Sequence, residues 1–168
     1  MADRGESADS AVDCGPIEWR QDRIGSALRG ENPTVLAKLP ESFAVIGDAQ
    51  FLPGYCLLLV DDPTIDLLSD LSRPRRLAFL DSMNRLGEAV EQACREADPA
   101  FRRLNYEILG NTDAFLHAHV RARYAWEPEP YVLHPATSYP MERFADPATA
   151  LGPQHDPLRN AIAALLAG

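Results

Sequence analysis

Lysine is almost absent from this chain of 168 residues: Lys38 is the only one, and the other basic residues are arginines. The formal net charge is −9, with 25 acidic residues against 16 basic ones. A protein that binds nucleic acid through its general surface needs a wide basic face, and this balance excludes one. It still allows a few arginines placed close together to bind a small anion.

Long apolar runs, paired cysteines and glycine-rich phosphate loops are also absent. The run from Tyr55 to Val60 is far shorter than the roughly 20 residues that cross a bilayer, so no membrane partner is expected. Cys14, Cys56 and Cys94 have neither metal-ligand nor redox spacing, and the first 13 residues do not resemble a secretory signal, which together favour a cytoplasmic location. No string Gly-x-Gly-x-x-Gly or Gly-Lys-Ser/Thr occurs, which excludes those nucleotide-binding loops.

The order of helical and strand patterns predicts an α+β fold. Residues 1–15 are predicted to be a flexible segment, and residues 16–168 a single domain. Within that domain we expect short helices near both ends, the first over 16–29 and the second with Asp156 as its N-cap. A long helix is expected over 73–97, with an apolar stripe that includes Leu77, Leu80, Leu86 and Val90. Strands are predicted over 34–39, 43–46, 55–60, 101–109 and 115–124, forming an antiparallel sheet of about five strands that the long helix covers.

The last predicted strand carries a polar face of unusual composition. Its odd positions are Phe115, His117, His119, Arg121 and Arg123, about 7 Å apart on one side of the strand. Imidazole titrates near neutrality and can act as a nucleophile. A guanidinium group binds phosphate oxygens with two parallel hydrogen bonds. Residues 101–124 hold four arginines against two acidic residues, a local charge of +2. The pattern favours a phosphate ester as ligand.

Two other interpretations of the same face stay open at this point. A solvated strand shows alternate polar residues without any function. A His-x-His pair can also supply two metal ligands, with His134, His155 or an acidic residue as the third. Spacing alone does not separate these interpretations from phosphate binding.

As a string, residues 104–124 resemble the signature region of the histidine triad nucleotide-binding family, and most closely its bacterial branch of diadenosine tetraphosphate hydrolases. Residues 32–34 and 47–55 resemble the nucleoside-side loops of that branch. The resemblance implies an antiparallel sheet that binds a purine nucleotide or dinucleoside polyphosphate. It also implies attack on the α-phosphate by a histidine, a nucleotidyl-histidine intermediate, and hydrolysis or transfer that cleaves a phosphoanhydride or phosphoramidate.

The resemblance also assigns roles to residues of this chain. His117 takes the position of the nucleophile and His119 that of the next triad histidine. Phosphate binding is assigned to Asn105, Gly110, Asn111, Thr112 and Arg123, and a ribose contact to Asp48. Arg121 is added to the phosphate-binding set because of its charge, not because of the resemblance. No metal ligand and no resident cofactor are implied, although a divalent cation can accompany the nucleotide, and a homodimer is expected. A histidine nucleophile predicts activity that falls as the pH drops through about 6.

Phe115 departs from the pattern of the family, whose triad begins with histidine or a polar amide. A phenyl ring neither donates nor accepts a proton, so the contact to the leaving-group oxygen is lost. Arg121 also stands where the family commonly has an apolar residue and is a candidate to replace part of that contact. The alternative function is therefore a purine-nucleotide-binding protein without catalysis, with a degenerate triad.

Overall fold

A computed structural model describes residues 18–168 and contains one antiparallel sheet of five strands. The strands lie in the order β1-β2-β3-β5-β4, with these bounds: β1 Val35–Leu39, β2 Ser42–Ile46, β3 Cys56–Val60, β4 Phe101–Glu107 and β5 His117–Tyr124. The helices are α1 Arg23–Leu28, α2 Arg73–Ala97, α3 Met141–Phe144 and α4 Asp156–Ala167. The predicted α+β class and five-stranded antiparallel sheet are confirmed.

One face of the sheet packs against α2 and α4 and forms the main core. Successive side chains of β5 alternate between faces, so Ala118, Val120 and Ala122 join this core and the odd positions point away from it. The buried stripe of α2 runs through Phe79, Leu86 and other residues at helical spacing: Ser82, Ala89, Val90, Ala93 and Cys94. Because α2 covers one face of the sheet, the opposite face remains available for a site.

The opposite face of the sheet, the open face, is the one to which the odd positions of β5 point. It carries a smaller apolar cluster of Ala27, Phe43, Val45 and Leu59. Helix α1 reaches this cluster through Ala27 and begins at Asp22, whose side chain accepts a hydrogen bond from the Gly25 amide. The helix expected from residue 16 is therefore shorter than predicted, because the cap fixes its start.

The proline-rich segment after β5 returns to the open face. Its backbone runs beside the loop after β2: the Leu151 amide donates to the Asp48 carbonyl at 2.8 Å, and the Gln50 amide to the Thr149 carbonyl at 2.7 Å. The Phe144 ring packs edge-on against Phe51, with centroids 4.9 Å apart. This segment forms one wall of the open face.

Several expectations concern the ends of the described chain. The flexible segment predicted over residues 1–15, Cys14 and the first two residues of the predicted domain lie outside the described residues. Helix α4 is N-capped by His155 rather than Asp156, which becomes the first helical residue. Within residues 18–168, no helix is long and apolar enough to cross a membrane.

Candidate functional site

The two histidines of β5 lie on the open face, where they line a cavity of about 230 Å³. His117 is paired with Leu59 and His119 with Leu57 of the neighbouring strand β3. Three more groups complete the cavity: apolar side chains of β2 and β3, the polar residues Thr112 and Asp113, and contributions from elsewhere in the chain, namely Arg23, Asp48, Tyr55, Phe115 and Phe144. The structure therefore brings the histidines together with a small pocket that is apolar on its sheet side.

The imidazole of His117 is held in one tautomer by the backbone. Its Nδ1 lies 2.9 Å from the carbonyl oxygen of Phe115, and a carbonyl only accepts, so Nδ1 carries the proton and donates it. The lone pair of a neutral ring then resides on Nε2. His117 is only 4% exposed, and its ring stands edge-on to that of His119 with centroids 4.9 Å apart. This is the tautomer that a nucleophilic Nε2 requires.

His119 receives two hydrogen bonds at the nitrogen nearer its backbone. The Tyr55 hydroxyl lies 2.8 Å from His119 Nδ1, and Nη2 of Arg121 lies 3.3 Å from the same atom. A guanidinium only donates, so Nδ1 accepts and the proton of the neutral ring sits on Nε2. Burial raises the pKa of Tyr55 to about 12, which keeps its hydroxyl protonated as a donor.

His119 stays neutral across the physiological range. Burial, followed by the charge of Arg121 and the nearby His117, lowers the pKa of His119 to about 3. A ring with that pKa does not deliver a proton as an acid near neutrality. Its Nε2–H is instead a fixed hydrogen-bond donor.

Arg121 is almost fully buried and serves the site through His119. Its Nε donates to a carboxylate oxygen of Glu107 at 3.2 Å, and its guanidinium lies 4.0 Å from the centroid of the Tyr55 ring and 5.7 Å from that of Phe144. The sequence predicts phosphate binding for Arg121. The structure places it beside the second histidine, between a carboxylate and two aromatic rings.

Arg123 and Asn105 lie in a different place from the one expected. Nε and Nη2 of Arg123 donate to the buried carboxylate of Glu127, and the remaining N–H groups bond the Asn105 side chain and the carbonyls of Tyr131 and His134. All five donors are engaged, so none is left for a phosphate. Asn105 lies on the open face with His117, but it does not line the histidine cavity.

The turn before β5 and the loop after β2 approach the histidines from two sides. Thr112 lines the histidine cavity, and Gly110 lines a smaller neighbouring cavity of about 140 Å³ that His117 also borders. Gly110 has a φ of 63°, a conformation that favours glycine, whereas Asn111 is exposed and lines neither cavity. Asp48 lines the histidine cavity and accepts a hydrogen bond from Arg23 at 2.6 Å.

Two of the cavity's side chains carry no functional signal in the sequence. Tyr55 lies in the stretch that resembles a nucleoside-side loop, yet its bond to His119 depends on how β3 pairs with β5. Phe144 belongs to the proline-rich tail, and only the path of that tail over the open face brings it to the cavity. Neither position follows from strand alternation.

Metal ligands do not converge in the described part of the chain. Among residues 18–168, no group of three or more His, Cys, Asp or Glu side chains is placed to hold a metal ion. His134 borders a separate cavity beside β4, and His155 accepts a hydrogen bond from the Gly152 amide at the start of α4.

Solved structures of similar fold come from histidine triad proteins. One from Sinorhizobium meliloti 1021 gives a TM-score of 0.62 at 16% identity, over 94% of this chain and 98% of that chain. A hypothetical histidine triad nucleotide-binding protein from Sulfolobus tokodaii strain 7 gives 0.62 at 10% identity, over 86% and 91%. A Zn-bound family protein from Mycobacterium smegmatis gives 0.58 at 16% identity, over 84% and 90%. No protein-family model and no curated protein matches the chain. The chain therefore has the fold of the histidine triad proteins, as the motif around His117 and His119 predicts.

Proposed function

We propose that this protein is a nucleotidyl hydrolase or transferase that cleaves a phosphoanhydride or phosphoramidate through a nucleotidyl-His117 intermediate. Dinucleoside polyphosphates such as diadenosine tetraphosphate are the first substrate class, in line with the branch that residues 104–124 resemble. The observation that carries the proposal is the hydrogen bond from His117 Nδ1 to the Phe115 carbonyl. It supports catalysis because it leaves the Nε2 lone pair for attack in a cavity shared with His119.

The reaction proceeds in two displacements at the α-phosphorus. Nε2 of His117 forms a bond to phosphorus, and the bond from phosphorus to the leaving oxygen or nitrogen breaks, with its electron pair going to the leaving group. A leaving phosphate departs as an anion, whereas a leaving nitrogen takes a proton from solvent. The His117 ring is then a cation, because Nε2 is bonded to phosphorus while Nδ1 keeps its proton. Water attacks the same phosphorus and loses a proton to solvent, the N–P bond breaks, and its electrons return to Nε2. The Nε2–H of His119 is a fixed donor for the phosphoryl charge.

The lining of the cavity supports a purine nucleoside as the retained half of the substrate. Val45, Leu57 and Leu59 offer apolar surface for a base, and Asp48 offers oxygen atoms to ribose hydroxyls. A volume of about 230 Å³ is less than a typical ligand pocket of roughly 300–1,000 Å³. The part of the substrate beyond the α-phosphate therefore extends outside the cavity.

The second candidate function is nucleotide binding without turnover, and the first triad position favours it. Phe115 has no proton to give to a leaving group, and the lowered pKa of His119 removes the second histidine as an acid. Substrates whose leaving group departs without a proton are therefore the better test of chemistry.

Hydrolysis of diadenosine tetraphosphate, whose ATP leaving group departs without a proton, followed by chromatography, separates the two candidates. We expect His117→Ala to lower turnover by about a thousandfold or more while nucleotide binding persists. His155→Asn, at the cap of α4, is the matched control and keeps its activity. A mass increase of one nucleotidyl group on His117 identifies the intermediate. Binding without turnover in the unaltered chain contradicts the enzyme.

The homodimer expected from the resemblance stays a prediction, and light scattering of the purified chain measures it.

A further inference from the structure

Two successive arginines of β4 border one cavity. Strand β4 lies at the edge of the sheet, and its residues 102–107 all line a cavity of about 640 Å³ that follows this edge. The strand also has a bulge at its start, because Phe101 pairs with Tyr124 and Arg103 with Arg123. Arg102 and Arg103 therefore both lie beside this cavity.

This cavity is separate from the one that holds the histidines. One wall is β4 with Asn105 and Glu107, and the other is the segment 132–135, which includes His134. None of residues 18–168 lines both cavities, and Arg121 bonds Glu107 of one lining and His119 of the other. A ligand here therefore occupies a second site.

The N–H groups of Arg102, Arg103 and Asn105 that border the cavity have few hydrogen-bond acceptors within the protein. Arg102 gives one N–H, from Nη1, to the Val132 carbonyl at 2.9 Å. Arg103 is exposed, and within residues 18–168 no carboxylate forms an ion pair with either arginine. The Oδ1 of Asn105 accepts from Arg123 Nη1 at 2.7 Å, so the side chain is fixed with its Nδ2 donors turned away from that guanidinium.

Glu107 is the only carboxylate that the described residues bring to the cavity wall, and its charge is offset. Glu107 accepts from Arg121 Nε at 3.2 Å, and both side chains are largely buried. The cavity thus joins two unpaired guanidinium groups and an amide donor in a chain whose net charge is −9. Guanidinium groups with amide donors bind phosphate oxygens well.

We propose that the cavity formed by Arg102, Arg103 and Asn105 is a second binding site, for the phosphate groups of a small anion. Its volume lies within the usual range for a ligand of nucleotide size, so either a free polyphosphate or the phosphates of a nucleotide fit. The site does not depend on chemistry at His117.

Titration of pyrophosphate into the full chain, followed by ¹H–¹⁵N spectra, tests this site directly. We expect saturable shifts at amides of residues 102–105 and 132–135. A second titration with ADP identifies the source of the phosphate: tighter binding than pyrophosphate indicates a nucleotide, and equal binding indicates the phosphate group alone. Shifts confined to residues 112–119, or no saturable shift, overturn the proposal.

Asn105→Asp is the sharpest variant, because it keeps an acceptor for Arg123 while replacing the Nδ2 donors with a charged oxygen. We expect pyrophosphate to bind at least about tenfold more weakly to this variant, and its thermal stability to be unchanged. Arg103→Gln weakens binding similarly. Arg85→Gln, which removes an equally exposed charge on α2, leaves it unchanged. Equal affinity in the wild type, Asn105→Asp and Arg103→Gln overturns the site.

Discussion

Arg121 adds to the effect of burial in keeping the second histidine neutral, and Arg121→Gln measures its contribution. Nη2 of Arg121 lies 3.3 Å from His119 Nδ1, where a protonated ring would place a second N–H donor against the guanidinium. Burial is the first cause that lowers the pKa of His119 to about 3, and the charge of Arg121 is the second. Removing that charge while keeping a polar side chain therefore raises the pKa of His119.

The expected rise follows from the distance and the neighbours. Two unit charges about 4 Å apart at an effective dielectric constant of about 20 interact by about 4 kcal/mol, or about three pKa units. Glu107, 3.2 Å from Arg121 Nε, offsets part of this repulsion. We expect a rise of about one to two units. The pKa stays below the reference value of about 6.5, because burial and His117 still disfavour the charged ring.

Titration of the imidazole resonances by NMR gives the pKa of His119 in each variant. Arg121→Lys keeps a cation at the position and is the matched control, so its His119 pKa stays low. If Arg121→Gln leaves that pKa within about 0.3 units of the wild-type value, the guanidinium is not a cause and the reasoning fails.

The same lowered pKa predicts a loss of stability in acid. The unfolded chain takes up a proton on His119 below about pH 6.5, whereas the folded chain does so only near pH 3. The unfolded state thus binds more protons across that window, and the free energy of unfolding falls as the pH drops through it. Urea denaturation at pH 7 and pH 5 measures the loss, which is smaller in Arg121→Gln.

Three further substitutions test the site and the fold. Phe115→His restores a proton donor, so kcat/KM rises more for substrates with poor leaving groups than for activated ones; equal gains would contradict the leaving-group argument. Glu127→Ala leaves the guanidinium of Arg123 buried without its carboxylate, which costs about 3–5 kcal/mol in urea denaturation, and a loss below about 1 kcal/mol refutes that role. Gly54→Ala places a Cβ 2.4 Å from Cys94 Sγ at a φ of 86°, so we expect about 1–3 kcal/mol of destabilisation, and an unchanged melting temperature would contradict the crowding.

Local periodicity is sufficient to predict most of the fold. Helix α2 has the predicted bounds, Arg73–Ala97, because its signals are local: the stop at Asp98 and the 3.6-residue spacing. Its buried face was less predictable. Leu77, expected in the core, is 53% exposed, and Phe79 is fully buried in its place. Helix α2 carries apolar residues on more than one stripe, and contact with the sheet decides which stripe is buried.

The sequence predicts on which face of the sheet the site residues lie, but not which of them are neighbours across the strands. Asn105, which the resemblance assigns to phosphate binding, does lie on the same side of the sheet as His117. The register then pairs Asn105 with Arg121, two cross-strand rows away from His117. That register depends on how the chain turns between β4 and β5, and strand alternation carries no information about it. The same limit applies to Phe144, which reaches the cavity from a segment without periodicity.

The arginines of β5 illustrate why charge counted along a sequence differs from charge available to a ligand. Residues 101–124 hold four arginines and two acidic residues, and the resulting +2 suggests a phosphate track beside the histidines. In the fold, Glu107 neutralises Arg121, and Glu127, just outside that window, neutralises Arg123. Among the residues that the structure describes, the arginines of this window without a carboxylate partner are therefore Arg102 and Arg103. The chemistry proposed at His117 must then rely on hydrogen-bond donors and a neutral nucleophile, and the positive charge that the sequence places around it lies instead beside β4.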